Sequence, residues 1–246
     1  MGKPVFSVVT VVRNAKESLQ KTIDSVLSQV FDGVEYIIVD GGSTDGTLDV
    51  IKKNTSEVSA WISEPDSGIY EAMNKGVSLA TGQWVSFMNA GDVFVDEFVL
   101  SKVAESLKGD AGVMYGDRYY VTANDGRVLQ RSKPVTTIFE RMPFGHQAAF
   151  VRRDILKIFG FNETYKFAAD YDLFVRLYMQ GVVFEFVDFP ICEFEAGGLS
   201  ESGLRPYLEV LKVLLDNTSD KEVISRNVYF KKFLEVGRGL ALKVVE

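Results

Sequence analysis

Charged and amide side chains follow directly after several apolar runs of this sequence. Asp40 follows VEYIIV, Arg13 and Asn14 follow FSVVTVV, Asp66 follows VSAWISEP, and Asp92 closes the stretch SFMNAGD. In an open parallel sheet, ligands bind outside the carboxyl ends of the strands. Carboxylates gathered there repel one another unless a hydrogen-bond donor or a cation lies between them. The spacing therefore predicts one polar binding site at a sheet edge.

Each of these residues taken alone also has a purely structural interpretation. Asn14 has the side chain of a helix N-cap, and Asp40 and Asp66 are common turn formers beside glycine and serine. Their number favours a shared site, while the structural alternative stays open for each residue.

Composition limits the chemistry. The 246 residues include 34 acidic and 27 basic side chains, which give a net charge of −7. This balance argues against a nucleic acid partner, because phosphate backbones need a clustered positive field. The single cysteine, Cys192, excludes an internal disulfide, and the single histidine, His146, excludes a multi-histidine metal site. The first apolar run is too short for a signal sequence or a membrane span, and we expect a cytoplasmic protein.

The first hundred residues alternate between two periodicities. FSVVTVV is a continuous β-branched run, as in a parallel strand covered on both faces. Apolar residues from Leu19 to Val30 then recur at helical spacing. The alternation continues and predicts a parallel, doubly wound sheet with right-handed crossovers. The predicted strands are 6–12, 34–40, 58–63 and 83–89. The first predicted helix follows residue 14, the second begins at residue 48, and the third covers 69–80.

The second half has a mixed, partly antiparallel pattern. GVMYGDRYYVTA and RVLQRS flank Asn124-Asp125-Gly126 as a β-hairpin. We predict one α/β domain over residues 1–203, with halves 1–95 and 96–203, and a C-terminal helical extension over 204–246. The other predicted elements are helices 99–108, 172–181, 204–216 and 221–244, and strands 147–152 and 182–190.

The stretches SVVTVVRNAKESLQKTIDSVLSQ, YIIVDGGSTDGT, SEPDSGIYEAMNKGVSLATG and WVSFMNAGD resemble the nucleotide-binding half of family 2 of the inverting glycosyltransferases. The resemblance covers residues 5–95 and continues more thinly through GHQAAFVRR and AADYDLFVRL. It implies a Rossmann-like, GT-A type fold and a nucleotide-diphospho-sugar donor. The acceptor it implies is a glycan or a lipid-linked hydroxyl, in cell-surface polysaccharide synthesis.

The resemblance also implies roles for single residues of the donor site. Asp40 matches the aspartate that accepts a hydrogen bond from the base. Uracil and thymine offer their N3–H and guanine offers its N1–H and amino group, and UDP or dTDP fits slightly better. Arg13 stands where many members have tyrosine, and its guanidinium can stack on a base. For Asn74 and Lys75, from AMNKG, a solvated helix face remains an alternative for the lysine. The expected nucleotide-binding set is Val11, Arg13, Asn14, Asp40, Asp66, Asn74 and Lys75.

Asp92 matches the last aspartate of the family's acidic pair, whereas Gly91 replaces its acidic neighbour. Mg²⁺ or Mn²⁺ fills its coordination shell from phosphate and water with one or two protein carboxylates. The resemblance therefore implies a metal bound through Asp92 alone.

Inverting transfer needs a base that accepts the proton of the attacking hydroxyl. Asp170 matches the aspartate of the family's Glu-Asp motif, with Ala169 in place of the glutamate, and Asp172 is a candidate N-cap. Both aspartates also suit the first turn of a helix. His146 and Gln147 are candidates for acceptor binding, with a structural hydrogen bond as the alternative for the histidine. The loop GGLSESGLR places Arg205 within possible reach of a diphosphate.

Other classes of protein fit less well. A nicotinamide-dependent oxidoreductase lacks its glycine fingerprint here, because VVRNAK follows the first strand. A sugar nucleotidyltransferase lacks its glycine- and arginine-rich loop. Gly91 and Ala169 leave a catalytically inactive nucleotide-binding or interaction module as an alternative.

The C-terminal helices mix cations and aromatic residues with aliphatic residues. This composition suggests weak attachment to a membrane face, with ordinary packed helices as the competing interpretation. The residues concerned are Phe230, Lys231, Lys232, Phe233, Arg238 and Lys243.

Overall fold

The computed structural model describes residues 2–107, 109–122, 126–195 and 204–235. Nine strands form one sheet in the order β3-β2-β1-β4-β8-β6-β9-β5, and β7 pairs with β6. The strands are β1 Phe6–Val12, β2 Val34–Asp40, β3 Ala60–Ser63, β4 Trp84–Phe87, β5 Val93–Phe94, β6 Val113–Thr122, β7 Gly126–Gln130, β8 Ala149–Arg152 and β9 Phe184–Glu195.

Helices cover both faces of this sheet. They are α1 Lys16–Leu27, α2 Thr47–Lys53, α3 Ile69–Leu79, α4 Val99–Ser106, α5 Arg153–Phe159, α6 Ala169–Met179, α7 Arg205–Asn217 and α8 Lys221–Arg226. No helix in the described ranges is long and apolar enough to span a membrane.

Successive side chains of β1 point to opposite faces of the sheet, and the core has one layer on each face. Val9 and Val11 pack on one face with α3, α6 and α7, and Val8 and Val12 pack on the other face with α1, α2 and α4. Burial on both faces explains why β1 is apolar at every position except Ser7 and Thr10. Helix α7 contributes Val213 and Leu214 to the first layer, so the predicted C-terminal extension packs on the same core.

The parallel half of the prediction is confirmed. Strand β1 pairs in parallel with β2 and β4, and β2 pairs in parallel with β3. Strand β8 then enters antiparallel beside β4 and β6, which makes the second half mixed, as expected. Strand β5 and helix α5 were not predicted, and helical residues 228–235 follow α8 after a break at Asn227, where one helix over 221–244 was expected. The tip of the β6–β7 hairpin, residues 123–125, lies outside the described residues.

Two predicted N-caps are wrong. Asn14 has a φ of 51° and precedes the N-cap Ala15, so its side chain does not cap α1. Helix α6 begins at Ala169, which places Asp172 inside the first turn, where its Oδ2 accepts a 2.8 Å hydrogen bond from Arg176 Nε. A side chain within the helix cannot serve as its N-cap.

Candidate active site

A cavity of about 1410 Å³ lies between the segment that follows β4 and the start of α6. Its lining joins the segment Asn89–Asp92 to the segment Gly145–Gln147, which precedes β8. Asp170 at the start of α6 and Glu195 at the end of β9 also line it. Four predicted site residues, Asp92, His146, Gln147 and Asp170, therefore share one cavity.

Helix α1 fixes the backbone around Asp92. The Thr22 hydroxyl accepts a hydrogen bond from the Gly91 N–H and donates one to the Asp92 carbonyl, both at 2.9 Å. The Asp92 side chain is buried, and its Oδ1 accepts a 3.4 Å hydrogen bond from the Glu195 N–H. Burial disfavours the charged form and raises the pKa of Asp92 to about 6, although the nearby His146 ring and the Glu195 N–H oppose the rise.

The oxygen atoms near Asp92 fit a hard divalent cation. Gly91 has a φ of 105°, and a Cβ on it would stand 3.4 Å from Glu195 Oε2, so a second carboxylate reaches the place of the missing acid. Asn89 Oδ1 is buried without a hydrogen-bond partner in the described part of the chain. Carboxylate and amide oxygens are the ligands that Mg²⁺ and Mn²⁺ prefer. Within the described ranges, no three His, Cys, Asp or Glu side chains form a metal cluster, so donor phosphates would have to complete the shell.

A hydrogen-bonded chain connects the two ends of the cavity. Asn89 Nδ2 lies 3.2 Å from His146 Nε2, and His146 Nδ1 lies 3.1 Å from Asp170 Oδ2. When Asn89 donates, Nε2 accepts and the imidazole proton is on Nδ1, facing the carboxylate. His146 therefore links the Asp92 region to the predicted base.

Asp170 is held by two further donors. Its Oδ1 accepts hydrogen bonds from the Tyr70 hydroxyl at 3.1 Å and from the Tyr171 N–H at 2.9 Å. Burial by itself would raise the pKa of Asp170, but the hydrogen bond from His146, together with these donors, lowers it below its ordinary value. Three of the roughly four lone-pair positions of a carboxylate are occupied, and the open one is on Oδ2.

The residues predicted to hold the base of the nucleotide form a second group, at the ends of β1 to β3. Asp40 is fully buried and accepts hydrogen bonds from the Ser43 hydroxyl, from the Ser43 N–H at 3.1 Å and from the Ser63 hydroxyl at 2.6 Å. Asp66 lies against Gly41, directly beyond Asp40, and accepts the Gly68 N–H at 3.1 Å. Their nucleotide contacts stay a prediction.

The other residues predicted to contact the nucleotide sugar form hydrogen bonds or ion pairs within the protein. Asn14 Oδ1 accepts the Thr44 N–H at 2.8 Å and so holds the loop after β2. Asn74 donates to the Phe161 carbonyl at 2.9 Å and accepts the Phe161 N–H at 2.9 Å, which ties α3 to the segment after α5. Lys75 forms 2.9 Å ion pairs with Glu64 and Glu71.

Three further predicted positions lie apart from the cavity. Val11 is 5% exposed and packs in the core, so its side chain does not reach the sheet edge. Arg13 is exposed beside Asn14. Arg205 begins α7 with an exposed side chain, and residues 197–203 of its predicted loop lie outside the described residues. The proposed roles of these positions stay predictions.

The structure adds residues that the sequence motifs did not indicate. Arg118 of β6 and Glu195 of β9 line the cavity next to Asp92, and Tyr70 of α3 reaches Asp170. Tyr70 stands inside SGIYEAMNKG, so that motif was the available signal. Arg118 and Glu195 have no comparable local signal, because their strands meet only through a long-range parallel pairing.

Comparison with known sequences places these residues in a family. The family model described as glycosyl transferase family 2 matches residues 7–174. A PGL/p-HBAD biosynthesis glycosyltransferase of Mycobacterium bovis is 32% identical over 212 residues, which cover 82% of this chain and 81% of the relative. The chondroitin synthase of Pasteurella multocida is 30% identical over 187 residues, which are 71% of this chain and 19% of that protein.

Solved structures share the fold. The structure of S. aureus TarS 1-349 in complex with UDP has a TM-score of 0.69 at 20% identity and covers 93% of this chain and 70% of its own. The mannosyltransferase PcManGT from Pyrobaculum calidifontis, in complex with GDP-Man and Mn²⁺, has a TM-score of 0.72 at 16% identity. The match covers 99% of this chain and 76% of PcManGT. The chain therefore belongs to glycosyl transferase family 2 and has a GT-A type fold.

Proposed function

We propose that the protein transfers a sugar, with inversion, from a nucleotide-diphospho-sugar to a hydroxyl of a glycan or lipid-linked acceptor in cell-surface polysaccharide synthesis. The observation that carries the proposal is the chain of contacts from Asn89 through His146 to Asp170, which joins the Asp92 region to a carboxylate on the other side of the same cavity.

The proposed donor lies across the strand ends, with its base beside Asp40 and Asp66 and its diphosphate beside Asp92. In the proposed complex Asp40 accepts the N3–H of uracil or thymine after the Ser43 hydroxyl rotates away, and UDP or dTDP is the proposed nucleotide. The UDP complex of TarS and the GDP-Man complex of PcManGT have related folds and support a nucleotide-bound donor in general.

Asp170 is the proposed base. The acceptor hydroxyl hydrogen-bonds to the open lone pair of Oδ2, and its oxygen attacks the anomeric carbon from the side opposite the diphosphate. The C–O bond to the nucleoside diphosphate breaks as the new glycosidic bond forms, and the hydroxyl proton passes to Asp170. Tyr70, Tyr171 N–H and His146 orient the carboxylate, and its lowered pKa keeps it ionised and ready to accept.

Asp92, Glu195 and the amide oxygen of Asn89 are the residues that would hold Mn²⁺ or Mg²⁺. When bound, such an ion neutralises the charge that develops on the departing diphosphate. The Mn²⁺ in the PcManGT complex, a structure of related fold, supports a divalent cation in general and not this choice of residues.

The test is a panel of nucleotide sugars with Mn²⁺ or Mg²⁺, scored for release of the nucleoside diphosphate and for thermal stabilisation. We expect one UDP- or dTDP-sugar to be turned over. Nucleotide binding without turnover of any donor would instead favour the inactive binding module. Equal nucleotide binding in excess EDTA would remove the metal from the proposal.

A further inference from the structure

The turn that leads into α6 is held from outside by helix α7. Asp170 is the second residue of α6, so the placement of its carboxylate depends on where that helix begins. Ala168 is the N-cap residue of α6, and its methyl side chain cannot accept the hydrogen bonds that the first N–H groups of a helix offer. Another part of the chain has to supply the acceptor.

Glu209 of α7 is that acceptor. Its two carboxylate oxygens accept the Lys166 N–H at 2.8 and 2.9 Å. Its Oε2 also accepts the Phe167 N–H at 2.6 Å and the Ala168 N–H at 3.1 Å. One side chain therefore binds three successive backbone donors. A carboxylate is favourable here for a second reason, because the N-terminus of a helix has a partial positive charge.

A second contact ties the same two segments together. Tyr165 is buried, and its hydroxyl donates to Asp216 Oδ2 at 2.6 Å, while Lys212 Nζ lies 5.2 Å from the centre of its ring. Glu209, Lys212 and Asp216 are spaced three and four residues apart, which places them on one face of α7. Because α7 also packs on the core, the turn is held by a helix that is itself anchored.

The held turn is part of the cavity wall. Lys166, Phe167 and Ala168 line the cavity, as does Asp170. Lys166 Nζ also donates to the Ser67 carbonyl at 3.2 Å, in the loop that precedes α3. Helix α3 in turn supplies the tyrosine hydroxyl that is bound to Asp170. A displacement of the turn would therefore move the carboxylate relative to its own hydrogen-bond donors.

A carboxylate that binds backbone N–H groups can serve stability alone. Two observations favour a further role for Glu209. The donors that orient Asp170 stand 2.9 to 3.1 Å from its oxygens, so a shift of α6 by about 1 Å would lengthen these contacts past the limit of a hydrogen bond. Glu209 also lies beyond residues 7–174, the part of the chain that matches the family model.

We propose that Glu209 is a positioning residue for Asp170. By binding the N–H groups of residues 166–168, it fixes the start of α6 and holds the carboxylate where an acceptor hydroxyl can reach it. The inference rests on the proposed role of Asp170 in transfer, but the placement itself can be measured without a substrate. Helix α7 is then required for the placement of the base.

NMR of the His146 ring nitrogens tests the placement. His146 is the single histidine of the chain, and its Nδ1 lies 3.1 Å from Asp170 Oδ2, so its signals report on this carboxylate. Glu209→Ala should shift both ring-nitrogen signals. Hydrogen exchange at residues 166–168 should become faster by roughly tenfold or more, because the acceptor of these N–H groups is lost.

Tyr165→Phe is the matched control. It removes a hydrogen bond between the same two segments, but it leaves the hydrogen bonds of Glu209 in place, and Tyr165 does not line the cavity. We expect Tyr165→Phe to lower the Tm and to leave the His146 signals and kcat unchanged.

The kinetic test uses the nucleotide sugar that the wild type turns over. Glu209→Ala should lower kcat by roughly 10- to 100-fold and leave the donor Kd unchanged, because a reacting group displaced by about 1 Å costs rate rather than donor affinity. Glu209→Gln should lose less, since its amide oxygen still accepts, and it replaces Glu209→Ala in every measurement if that variant misfolds. In the Asp170→Asn background, Glu209→Ala should lower kcat no further, because the group that it positions is already lost.

Wild-type kcat with unchanged His146 signals in Glu209→Ala overturns the proposal, as does an equal loss of kcat in the Asp170→Asn background. Equal shifts of the His146 signals in Tyr165→Phe also overturn it, because any loosening of α7 would then have the same effect. A wild type that turns over no donor contradicts the proposed transfer. The His146 signals still decide in that case whether Glu209 places Asp170.

Discussion

Two carboxylates in one cavity have opposite electrostatic surroundings. Asp92 is buried with few donors, which raises its pKa to about 6, whereas Asp170 accepts three hydrogen bonds, which lower its pKa. A group that binds a cation tolerates a raised pKa, because the cation itself favours the ionised form. A base on the acceptor side has to be ionised before the acceptor arrives. The surroundings therefore suit the two proposed roles.

Asp170→Asn should lower kcat by about 10²- to 10⁴-fold, because the proton acceptor is lost. Its donor Kd should stay nearly unchanged, since Asp170 faces the acceptor. Asp92→Asn should weaken donor binding and also lower kcat. The metal ion that Asp92 is proposed to bind would contact the donor throughout the reaction. Steady-state kinetics and calorimetry with the donor measure both effects.

Asp172→Asn is the control for the variants of Asp92 and Asp170. The Asp172 side chain is nearly buried and pairs with the partly exposed Arg176, so the variant should lose stability while the folded enzyme keeps its kcat. A large loss of kcat in Asp172→Asn with full activity in Asp170→Asn would move the base by two residues.

Gly91→Asp restores the acidic pair in the sequence, but we expect the variant protein to be less stable. The φ of 105° at Gly91 is unfavourable for every residue with a Cβ, at a cost of about 1–3 kcal/mol. Thermal unfolding of Gly91→Asp and Gly91→Ala should show a similar fall in Tm, because the strain comes from the backbone. An increase in metal affinity without loss of stability would show that the backbone at this position adapts.

At the scale of elements, side chains that follow one strand hold the end of a neighbouring helix. At the N-terminus of α1, the Ala15 N–H donates a 3.0 Å hydrogen bond to Thr47 Oγ1 and the Lys16 N–H donates one of 3.1 Å to Asp45 Oδ2, and both acceptors follow β2 in the chain. The ends of β1 and β2, which the proposed nucleotide would contact, are thereby fixed relative to each other.

Glu35 performs a similar task at the opposite end of the strands. Its carboxylate accepts hydrogen bonds from the Ser7 hydroxyl, from Thr81 Oγ1 at 2.7 Å and from the Gly82 N–H at 2.7 Å. Burial opposes ionisation, but these donors prevail and lower the pKa of Glu35 below 4.5. A lowered pKa in the folded state stabilises the protein above the unfolded pKa, and this stabilisation is lost as pH falls through the folded value.

Glu35→Gln should therefore cost about 1 kcal/mol at neutral pH, a figure discounted for the partial exposure of the site. The difference in unfolding free energy between the wild type and the variant should narrow as pH falls below 4.5. Urea unfolding at several pH values measures it. Glu57→Gln, at an exposed position, is the matched control and should change little. A difference that stays constant with pH would contradict the role of the charge.

At the scale of the whole molecule, the cavity lies where the parallel half of the sheet meets the mixed half. The first half brings Asp92 and the sheet edge proposed to bind the nucleotide, and the second half brings Asp170, His146 and Arg118. The predicted membrane contact belongs to this scale. Phe230 and Phe233 pack against the core, which leaves Lys231 and Lys232 exposed, while Arg238 and Lys243 lie outside the described residues.

With its aromatic side chains packed and a net charge of −7, the protein should bind anionic liposomes only weakly. We expect weak flotation at low salt that disappears at about 0.15 M salt, because screening removes a purely electrostatic contact. Flotation that persists at this ionic strength would show that apolar groups enter the bilayer. Lys231→Gln together with Lys232→Gln should abolish the low-salt signal.

The sequence by itself determined the β-α alternation of the first half and the polar strand ends. Continuous β-branched runs and helical spacing are local patterns, and strands joined by helical crossovers are expected to run in parallel. This is why the positions of Asp40, Asp66 and Asp92 in the chain were enough to assign them to one edge of the sheet. The family motifs added Asp170 and His146.

Only the tertiary structure decided how these residues meet. Strand β8 enters antiparallel between β4 and β6, which sets Gly145–Gln147 beside Asn89 and allows His146 to contact Asp170. The pairing of β6 with β9 brings Arg118 and Glu195 to the same cavity. Such contacts join residues far apart in the chain, and no local periodicity records them. For the same reason Asn14, interpreted locally as a helix cap, has its partner in the loop after β2. Asp172 instead pairs within α6 with Arg176, four residues along the chain, and Arg176 in turn donates to the Phe159 carbonyl at the end of α5.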